Sequence, residues 1–258
     1  MEKEYHILSL SGGKDSTALA FFMKENMPEI FEKLELVFSD TECDLPETYD
    51  YLNKIEIFLG KKILRIKPEA SFEHLIQLQN FLPTPHRRWC TVMLKTLPFK
   101  NYIKNVITKN GNSIIKLYIG IRADELHRAE YNKYSVNYIQ EVYPFVDNLI
   151  CKEDVHQILK NVGINLPDYY KWIDRSGCYF CFFKSKHSWL LLNKHHPELY
   201  QKASEMEQPR LNEGGFGWNI DFSLDDMIKP ENKIKIIKHH SLKKIKNNKF
   251  IKTLYQII

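Results

Sequence analysis

Short apolar runs alternate with longer amphipathic stretches along the first half of the chain. Each apolar run has the length and character of a buried parallel strand. The predicted strands are Tyr5–Leu10, Leu34–Phe38, Lys62–Ile66 and Ile114–Ile121. The stretches between them predict helices at Ser16–Glu25, Pro46–Leu59 and Ser71–Gln79. This alternation predicts an α/β fold with a parallel sheet and helices on both faces, which binds ligands beyond the carboxyl ends of its strands.

The pattern changes near residue 149, where helical periodicity continues and strand-like runs stop. The predicted helices of this part are Cys151–Asn161, His187–Asn193 and Pro197–Glu207. We therefore expect three regions along the chain. They are a nucleotide-binding α/β domain over residues 1–148, a helical cysteine-containing subdomain over 149–228 and a basic segment over 229–258.

The composition is that of an ordinary globular protein, with 43% hydrophobic and 27% charged residues among 258. No apolar run approaches the ~20 residues of a membrane-spanning helix, and residues 1–16 lack the layout of a signal peptide. A cytoplasmic protein without membrane association is expected. Five cysteines, an odd number, argue against a disulfide framework in that compartment and leave metal or catalytic roles open.

Positive charge is concentrated at the end of the chain. Nine lysines and one glutamate give residues 229–258 a charge of +8, which leaves −3 for residues 1–228 out of a total of +5. A lysine-rich segment of this kind favours a polyanion such as nucleic acid as a partner. The alternative interpretation is a solvated helix face, because isoleucines such as Ile234 and Ile237 interleave with the lysines.

A glycine-containing loop, Ser11-Gly12-Gly13-Lys14-Asp15-Ser16, joins the first predicted strand to the first predicted helix. Glycines allow a tight turn in which backbone N–H groups can approach a phosphate, and a helix N-terminus adds partial positive charge. Ser11 and Ser16 supply hydroxyls and Lys14 supplies a full charge. The sequence therefore predicts a phosphate-binding loop, distinct from the Walker A loop because Asp15 stands where serine or threonine would hold magnesium.

This loop resembles the pyrophosphate loop of the ATP-pyrophosphatase (PP-loop, adenine nucleotide alpha hydrolase-like) superfamily. Further segments resemble its phosphoadenosine phosphosulfate (PAPS) reductase-like family, and the resemblance runs from about residue 5 to about residue 205. These segments are Phe38–Thr48, Arg88–Pro98, Gly120–Arg128 and Arg175–Cys181.

The resemblance implies an adenine nucleotide bound at the first loop, and an enzyme that adenylates an acceptor oxygen and releases pyrophosphate. The implied nucleotide-binding residues are Ser11, Gly12, Gly13, Lys14, Asp15, Ser16, Asp40, Thr41, Gly120, Arg122 and Arg128. Among them, the implied catalytic residues are Lys14, Asp15, Ser16 and Arg122. Asp15 or Asp40 would hold Mg²⁺ on ATP. For Arg122 and Arg128, the alternative to oxyanion binding is an ion pair with Asp124 or Glu125.

The cysteines form a second candidate site. Cys178 and Cys181 have the C-x-x-C spacing that lets two thiolates bind one metal, and Cys90, beside two arginines, is the natural third ligand. Three thiolates suit a 4Fe–4S cluster with one open iron. The alternatives are Zn²⁺ with His187 as fourth ligand, or a dithiol redox pair. Cys43 is either a sulfur-relay thiol or a small buried residue.

Assimilatory PAPS and adenylylsulfate reductases carry a C-terminal E-C-G-x-H segment, and no cysteine here, at 43, 90, 151, 178 or 181, lies in one. We therefore expect an ATP pyrophosphatase that activates a nucleic acid for sulfur insertion, as in DNA phosphorothioation or tRNA thiolation. A cysteine desulfurase or another donor would supply sulfur, and a homodimer is compatible with this function. The alternatives are a PAPS or adenylylsulfate reductase, a non-catalytic nucleotide- or nucleic-acid-binding partner in a modification or defence complex, and a zinc-stabilised hydrolase.

Overall fold

The computed structural model describes residues 3–110, 113–131, 137–173 and 177–255. Within these residues the strands are β1 (Lys3–Ser9), β2 (Leu34–Ser39), β3 (Ile63–Ile66), β4 (Ser113–Tyr118) and β5 (Ile139–Val142). The α-helices are α1 (Lys14–Asn26), α2 (Pro28–Lys33), α3 (Pro46–Leu59), α4 (Phe72–Gln79), α5 (Trp89–Thr91), α6 (Leu97–Asn110), α7 (His127–Tyr131), α8 (Pro144–Asp147), α9 (Lys152–Val162), α10 (Lys186–His195), α11 (Pro197–Asn212), α12 (Leu224–Met227) and α13 (Pro230–Tyr255). A π-helical turn covers Val92–Thr96, and 3₁₀ turns cover Ala123–Glu125 and Asp168–Lys171.

The five strands form one parallel sheet in the order β3-β2-β1-β4-β5. The central strand β1 pairs Leu8 with Leu36 on one side and with Tyr118 on the other. All carboxyl ends therefore lie at the same edge, which is where parallel sheets bind ligands. The predicted α/β class is confirmed.

The sequence prediction found four of these strands and missed β5, together with α2 and α6. The missed strand is only four residues long, Ile139-Gln140-Glu141-Val142, and two of them are polar. It is a strand because it pairs with β4 at the sheet edge, which is long-range information. The basic segment forms helix α13 from Pro230 to Tyr255.

The chain divides into two compact units, and each is built around its own core. The first unit comprises the chain up to Phe72 together with residues 89–177. Successive residues of β1 point to opposite faces of the sheet, so Leu8 packs in a cluster with Leu19 of α1 and Val155 of α9. Ile7 packs instead with Ile103 of α6. The sheet is therefore covered on both faces, as its continuous apolar strands predict.

The second unit comprises residues 73–88 and the chain from Cys178 onward. Trp189 lies at its centre, with its ring centroid 6.0 Å from that of Trp218 and 6.2 Å from that of Tyr200. Phe180 stacks on Trp218 at 5.9 Å. The aromatic residues of this part of the sequence thus pack a core. Helix α9 belongs to the first unit, and the domain boundary at residue 148 stays a prediction.

A buried carboxylate organises the loop between α11 and α12. Glu207 is fully buried and accepts hydrogen bonds from the backbone N–H groups of Trp218, at 2.9 Å, and Leu224. A Cβ on Gly217 would lie 2.3 Å from the same carboxylate, so glycine is needed there for this close approach. Burial raises the pKa of Glu207 above the usual carboxyl value. Among the described residues, we find no helix long and apolar enough to cross a membrane.

We expect Glu207→Ala to destabilise the second unit strongly. The substitution leaves the N–H groups of Trp218 and Leu224 buried without an acceptor, which costs about 2–5 kcal/mol. Urea unfolding followed by tryptophan fluorescence measures the loss, because Trp189 and Trp218 report on this core. Glu205→Ala, at an exposed position of the same helix, is the matched control and should change stability by less than about 0.5 kcal/mol. Equal stability of the two variants would contradict this role.

The raised pKa of Glu207 also predicts a pH dependence. A carboxyl whose pKa is raised by folding binds its proton more tightly in the folded state. Its contribution to stability is therefore present below the ordinary carboxyl pKa and falls as the pH rises through the raised value. We expect Glu207→Gln to flatten this fall in a urea-unfolding series across that pH range. A slope identical to that of the parent protein would contradict the assignment.

Candidate active site

The loop between β1 and α1 has the geometry of a phosphate-binding turn. Gly12 has a φ of +67°, in the left-handed region that favours glycine. A Cβ there would lie 3.0 Å from Cγ2 of Thr48. Gly13 is extended, with φ −87° and ψ 161°, and forms the N-cap of α1. The two glycines therefore let the chain leave the sheet at Ser9 and enter a helix at Lys14, with four residues in between.

Two serine hydroxyls face each other at this turn. Oγ of Ser11 lies 3.0 Å from Oγ of Ser16, and the Ser11 N–H donates to the Ser16 Oγ at 3.0 Å. The hydroxyl of Thr17 donates to the carbonyl oxygen of Gly13 at 2.9 Å. These hydrogen bonds hold the loop in its turn, so the two hydroxyls and the first amides of α1 are already gathered at the positive end of the helix.

Sequence reasoning missed Tyr170. The backbone N–H of Lys14 donates to the Tyr170 hydroxyl at 3.2 Å, across a separation of 156 residues. Tyr170 is half-buried and packs against Tyr169, with ring centroids 4.9 Å apart. Its phenol oxygen thus accepts from a first-turn amide of α1, which is a donor of the kind that binds phosphate. The adjacent tyrosines in the sequence were the only signal, and they do not specify this contact.

Arg122 is the hub of an ion-pair network at the same edge. It is only 7% exposed, and its Nη1 donates to Oδ1 of Asp15 at 2.8 Å. Its Nε donates to Asp124 at 2.9 Å, and Nη2 lies 3.3 Å from Glu125. Hydrogen bonding to Asp124 and then to Asp15 raises the pKa of Arg122, and Arg122 lowers the pKa of Asp124. The guanidinium therefore stays charged beside the loop.

The second predicted arginine and the loop lysine are also paired. Nη1 of Arg128, which is half-exposed, donates to Glu125 at 2.9 Å. Nζ of Lys14 donates to Oδ2 of Asp15 at 2.6 Å. Asp15 thus lies between the cations of Lys14 and Arg122, and the three side chains form one cluster at the start of α1.

Gly120 fixes the loop against the end of β4. A Cβ at this position would lie 3.1 Å from the backbone of Asp15 and from the backbone nitrogen of Ser16. That distance is tighter than nine in ten real Cβ contacts, so a side chain at this position would push the two backbone segments apart.

A cavity of about 320 Å³ opens beside the loop, between the ends of β1 and β2. Its walls include Ser11, Phe38, Asp44, Lys95 and Phe99. Sequence reasoning did not assign Asp44 a role, and Lys95 entered only as part of a resembling segment. Lys95 lies on the π-helical turn, a distortion that is frequent at functional sites.

Asp40 and Thr41 are buried at the end of β2 and support this cavity from behind. Oδ1 of Asp40 accepts from the hydroxyl of Tyr49 and the backbone N–H of Glu42, both at 2.9 Å. The hydroxyl of Thr41 donates to the Asp44 carboxylate at 3.1 Å. The hydrogen bond from Thr41 positions Asp44, which lines the cavity.

The cysteines lie in both units. Cys43 and Cys90 are buried in the first unit, and the Cys43 N–H donates to Oγ1 of Thr41 at 3.3 Å. In the second unit, the Cys181 N–H donates to the Cys178 carbonyl at 3.1 Å, so the two thiols lie on one tight turn. The ring of His187, the fourth ligand in the zinc alternative, stacks on that of His240. In the described ranges, no group of three or more His, Cys, Asp or Glu is placed to hold a metal. The three-cysteine site stays a prediction, and Arg175 and Ser176 lie outside the described residues.

The family model of the phosphoadenosine phosphosulfate reductase domain matches residues 5–182, more than two thirds of the chain. The chain belongs to this family. The match includes the phosphate loop, the ends of β2 and β4 and the Cys178–Cys181 turn, and the family predicted from the sequence is confirmed.

Three curated proteins are similar in sequence to this PAPS reductase family member. Protein MJ0973 of Methanocaldococcus jannaschii is 28% identical over 205 residues, which is 78% of this chain and 47% of that protein. Protein MJ0066 of the same organism is 24% identical over 223 residues, 82% of this chain and 44% of its own length. The nin region protein ORF290 of Escherichia phage lambda is 26% identical over 207 residues, which is 70% of this chain and 66% of that protein. This chain therefore spans less than half the length of the two archaeal relatives.

Two solved structures have a similar chain trace. PAPS reductase from Candida auris aligns with a TM-score of 0.46 at 13% identity, over 66% of this chain and 78% of that one. The NH₃-dependent NAD synthetase from Campylobacter jejuni aligns with a TM-score of 0.40 at 15% identity, over 82% of this chain and 87% of that one. These values describe a likeness of architecture and say nothing about activity.

We expect Gly120→Ala to weaken nucleotide binding in this PAPS reductase family member, because the new methyl group would displace the backbone of Asp15 and Ser16. Overpacking costs about 1–3 kcal/mol, so ATP affinity should fall about tenfold or more. Isothermal titration calorimetry with ATP and Mg²⁺ measures the change.

The control for this variant is Gly60→Ala. Gly60 caps α3 at a φ of +68° with no atom near its Cβ position, so alanine costs about 1 kcal/mol of stability without touching the loop. Its ATP affinity should equal that of the parent protein. Parental ATP affinity in Gly120→Ala would show that this contact does not position a nucleotide site.

Proposed function

We propose that this chain is an ATP pyrophosphatase that adenylates a nucleic acid for sulfur insertion. One observation carries the proposal: the loop of Ser11–Ser16 is held as a turn with two hydroxyls and the first amides of α1 at one point. A helix of 13 residues starts there, so its positive end faces any bound phosphate. Family membership supports a nucleotide-utilising enzyme.

The triphosphate would bind along the loop. The hydroxyls of Ser11 and Ser16 are 3.0 Å apart and suit a single phosphate oxygen or two oxygens of one group. Lys14 and Arg122 add two permanent positive charges. Because both cations are held by Asp15 in the free protein, they are in place before the nucleotide arrives and cost little reorganisation when it binds.

The nucleoside would occupy the cavity beside the loop. Its volume of about 320 Å³ lies within the range of small-molecule sites. Phe38 and Phe99 offer apolar walls, and Ser39, Asp44 and Lys95 offer polar groups for orientation. Thr41 acts in this arrangement through Asp44, which it positions, and we propose that Asp40 stabilises the end of β2 beside the nucleoside.

The reaction begins when an oxygen of the acceptor attacks the α-phosphorus of ATP. A new P–O bond forms, the bond to the oxygen that bridges the α- and β-phosphates breaks, and pyrophosphate leaves with that electron pair. Lys14, Arg122 and the loop amides stabilise the charge that develops on the departing phosphates.

Mg²⁺ would neutralise charge on the phosphates during this step. Of the two candidate ligands, Asp15 fits better than Asp40. The side chain of Asp15 is 26% exposed beside the loop, whereas Asp40 is 4% exposed and already accepts two hydrogen bonds at one oxygen.

Sulfur insertion completes the proposed reaction. A cysteine desulfurase is the proposed sulfur donor, and the terminal sulfur of its persulfide forms a bond to the adenylated centre while AMP leaves with the oxygen. A thiol reductant then attacks the donor's own cysteine sulfur, the S–S bond breaks with its electron pair on the inserted sulfur, and donor and reductant leave as a disulfide. Cys178 and Cys181 supply two soft thiolate ligands from one turn, which suits iron or zinc, and we propose that they ligate a 4Fe–4S cluster.

We expect the pure protein to release pyrophosphate from ATP, with Mg²⁺ present, when an acceptor nucleic acid is supplied. Lys14→Ala should lower kcat/KM about 10²–10³-fold, because it removes a charge placed at the departing phosphates. Lys54→Ala, at an exposed position on α3, should retain the parental rate. A pyrophosphate-release assay with DNA and tRNA acceptors measures these rates. Absence of pyrophosphate with every acceptor contradicts adenylation, and sulfite released from PAPS would instead establish a reductase.

We expect anaerobically purified protein to be brown and to contain iron and acid-labile sulfide. Cys178→Ala should lose both, because it removes one of two thiolates on the turn. Cys151→Ala is the control, since Cys151 caps α9 and should keep the metal content. Metal analysis and the visible spectrum give the readout. Colourless protein with one bound zinc would contradict the cluster.

A further inference from the structure

A second cavity, of about 480 Å³, lies entirely within the second unit. It is formed by the start of α10, the loop before α12 and the first half of α13. Its lining residues are Lys184, Ser185, Lys186, His187, Asn219, Phe222, Lys235, Ile236, His239, His240 and Lys243. No function discussed above uses this cavity.

The titratable side chains that line the cavity are all basic. Four lysines and three histidines line it, and none of the lining residues is acidic. Asp221 lies outside the lining and pairs with Lys186. Lys186 also lies over the ring of Phe222, 5.3 Å from its centroid. A concave surface of this composition concentrates positive potential and attracts anions.

Helix α13 contributes a row of basic side chains at regular spacing. Lys235, His239 and Lys243 are each four residues apart, so they lie on one face of the helix. At a rise of 1.5 Å per residue, the row from Lys235 to Lys243 is about 12 Å long. All three are exposed, whereas the neighbouring Ile236 is 5% exposed and anchors the helix in the unit.

The opposite wall begins at the N-terminus of α10. Ser185 caps this ten-residue helix by accepting from the Ser188 N–H at 3.1 Å. The ring of His187 stacks on that of His240 with centroids 3.8 Å apart and planes within 8°. This stack joins α10 to α13, so residues far apart in sequence form a single cationic surface.

We propose that this cavity binds the phosphodiester backbone of the nucleic acid acceptor, an inference that rests on the proposed function. The cavity is lined along one side by an exposed row of basic side chains about 12 Å long, a shape suited to successive phosphates of one strand. Lys235 and Lys243, at the two ends of the row, bind phosphate oxygens and release counterions from the strand.

Oligonucleotide binding tests this surface directly. The full chain is titrated into a fluorescein-labelled 24-nucleotide single-stranded DNA, its duplex and an RNA of the same sequence, at several salt concentrations. We expect the double variant Lys235→Ala/Lys243→Ala to bind about tenfold or more weakly and to lower the slope of log K against log salt by about 1.5–2. Lys235→Arg/Lys243→Arg should restore both the affinity and the slope.

The matched control is Lys54→Ala/Lys62→Ala, which removes the same charge from exposed positions of the first unit. It should bind the oligonucleotides as the parent protein does. Identical affinities of the two alanine pairs would overturn the proposal. So would failure of the parent protein to bind any oligonucleotide, including the case in which the cavity takes up only inorganic phosphate or pyrophosphate.

Failure of the proposed adenylation would give results different from failure of the proposed binding surface. ATP binding by calorimetry should be unchanged in Lys235→Ala/Lys243→Ala, because neither residue belongs to the phosphate loop. Loss of oligonucleotide binding with intact ATP binding supports the assignment of the cavity. The parent protein could bind oligonucleotides through these lysines and yet never release pyrophosphate. That result would refute adenylation, and the cavity would remain assigned as a nucleic-acid-binding surface.

Discussion

The close packing of Gly120 against the backbone of Asp15 and Ser16 is the constraint on which the phosphate loop depends. Strand β4 pairs with β1, so the chain leaves both strands at neighbouring points of one sheet edge. Because Gly120 has no side chain, the end of β4 can support the loop from below at backbone contact distance. Arg122, two residues later, then reaches Asp15 from a fixed position. The end of β4 therefore determines both the shape of the loop, through Gly120, and the position of the positive charge beside it, through Arg122.

The charges at this edge are balanced in the free protein. Asp15 holds Lys14 and Arg122, and Asp124 and Glu125 hold the guanidinium from the other side. Carboxylates that position cations would compete with an arriving polyphosphate. The arrangement therefore suits a ligand that brings its own divalent ion, since a cation between the phosphates and Asp15 would remove that competition.

Local periodicity in the sequence predicted the strands β1 to β4 and the helices α1, α3 and α4. Glycine and serine at fixed spacing predicted the phosphate loop. The sequence did not reveal Tyr170, whose hydroxyl reaches Lys14 across 156 residues, or β5, which is a strand through pairing alone. Arg122 was predicted to bind an oxyanion or pair with Asp124 or Glu125. Its pairing with Asp15 follows from sheet order, which no local pattern specifies. The cationic cavity also depends on packing, since it joins α10 to α13.

The central claim is that the phosphates of an adenine nucleotide bind the turn between β1 and α1. A crystal structure with the α,β-methylene analogue of ATP and Mg²⁺ tests it most directly, because this analogue cannot be cleaved at the bond in question. The account predicts phosphate oxygens within hydrogen-bonding distance of the hydroxyls of Ser11 and Ser16 and of the first amides of α1. Phosphates bound elsewhere, or crystals that take up no nucleotide at saturating concentration, would contradict it.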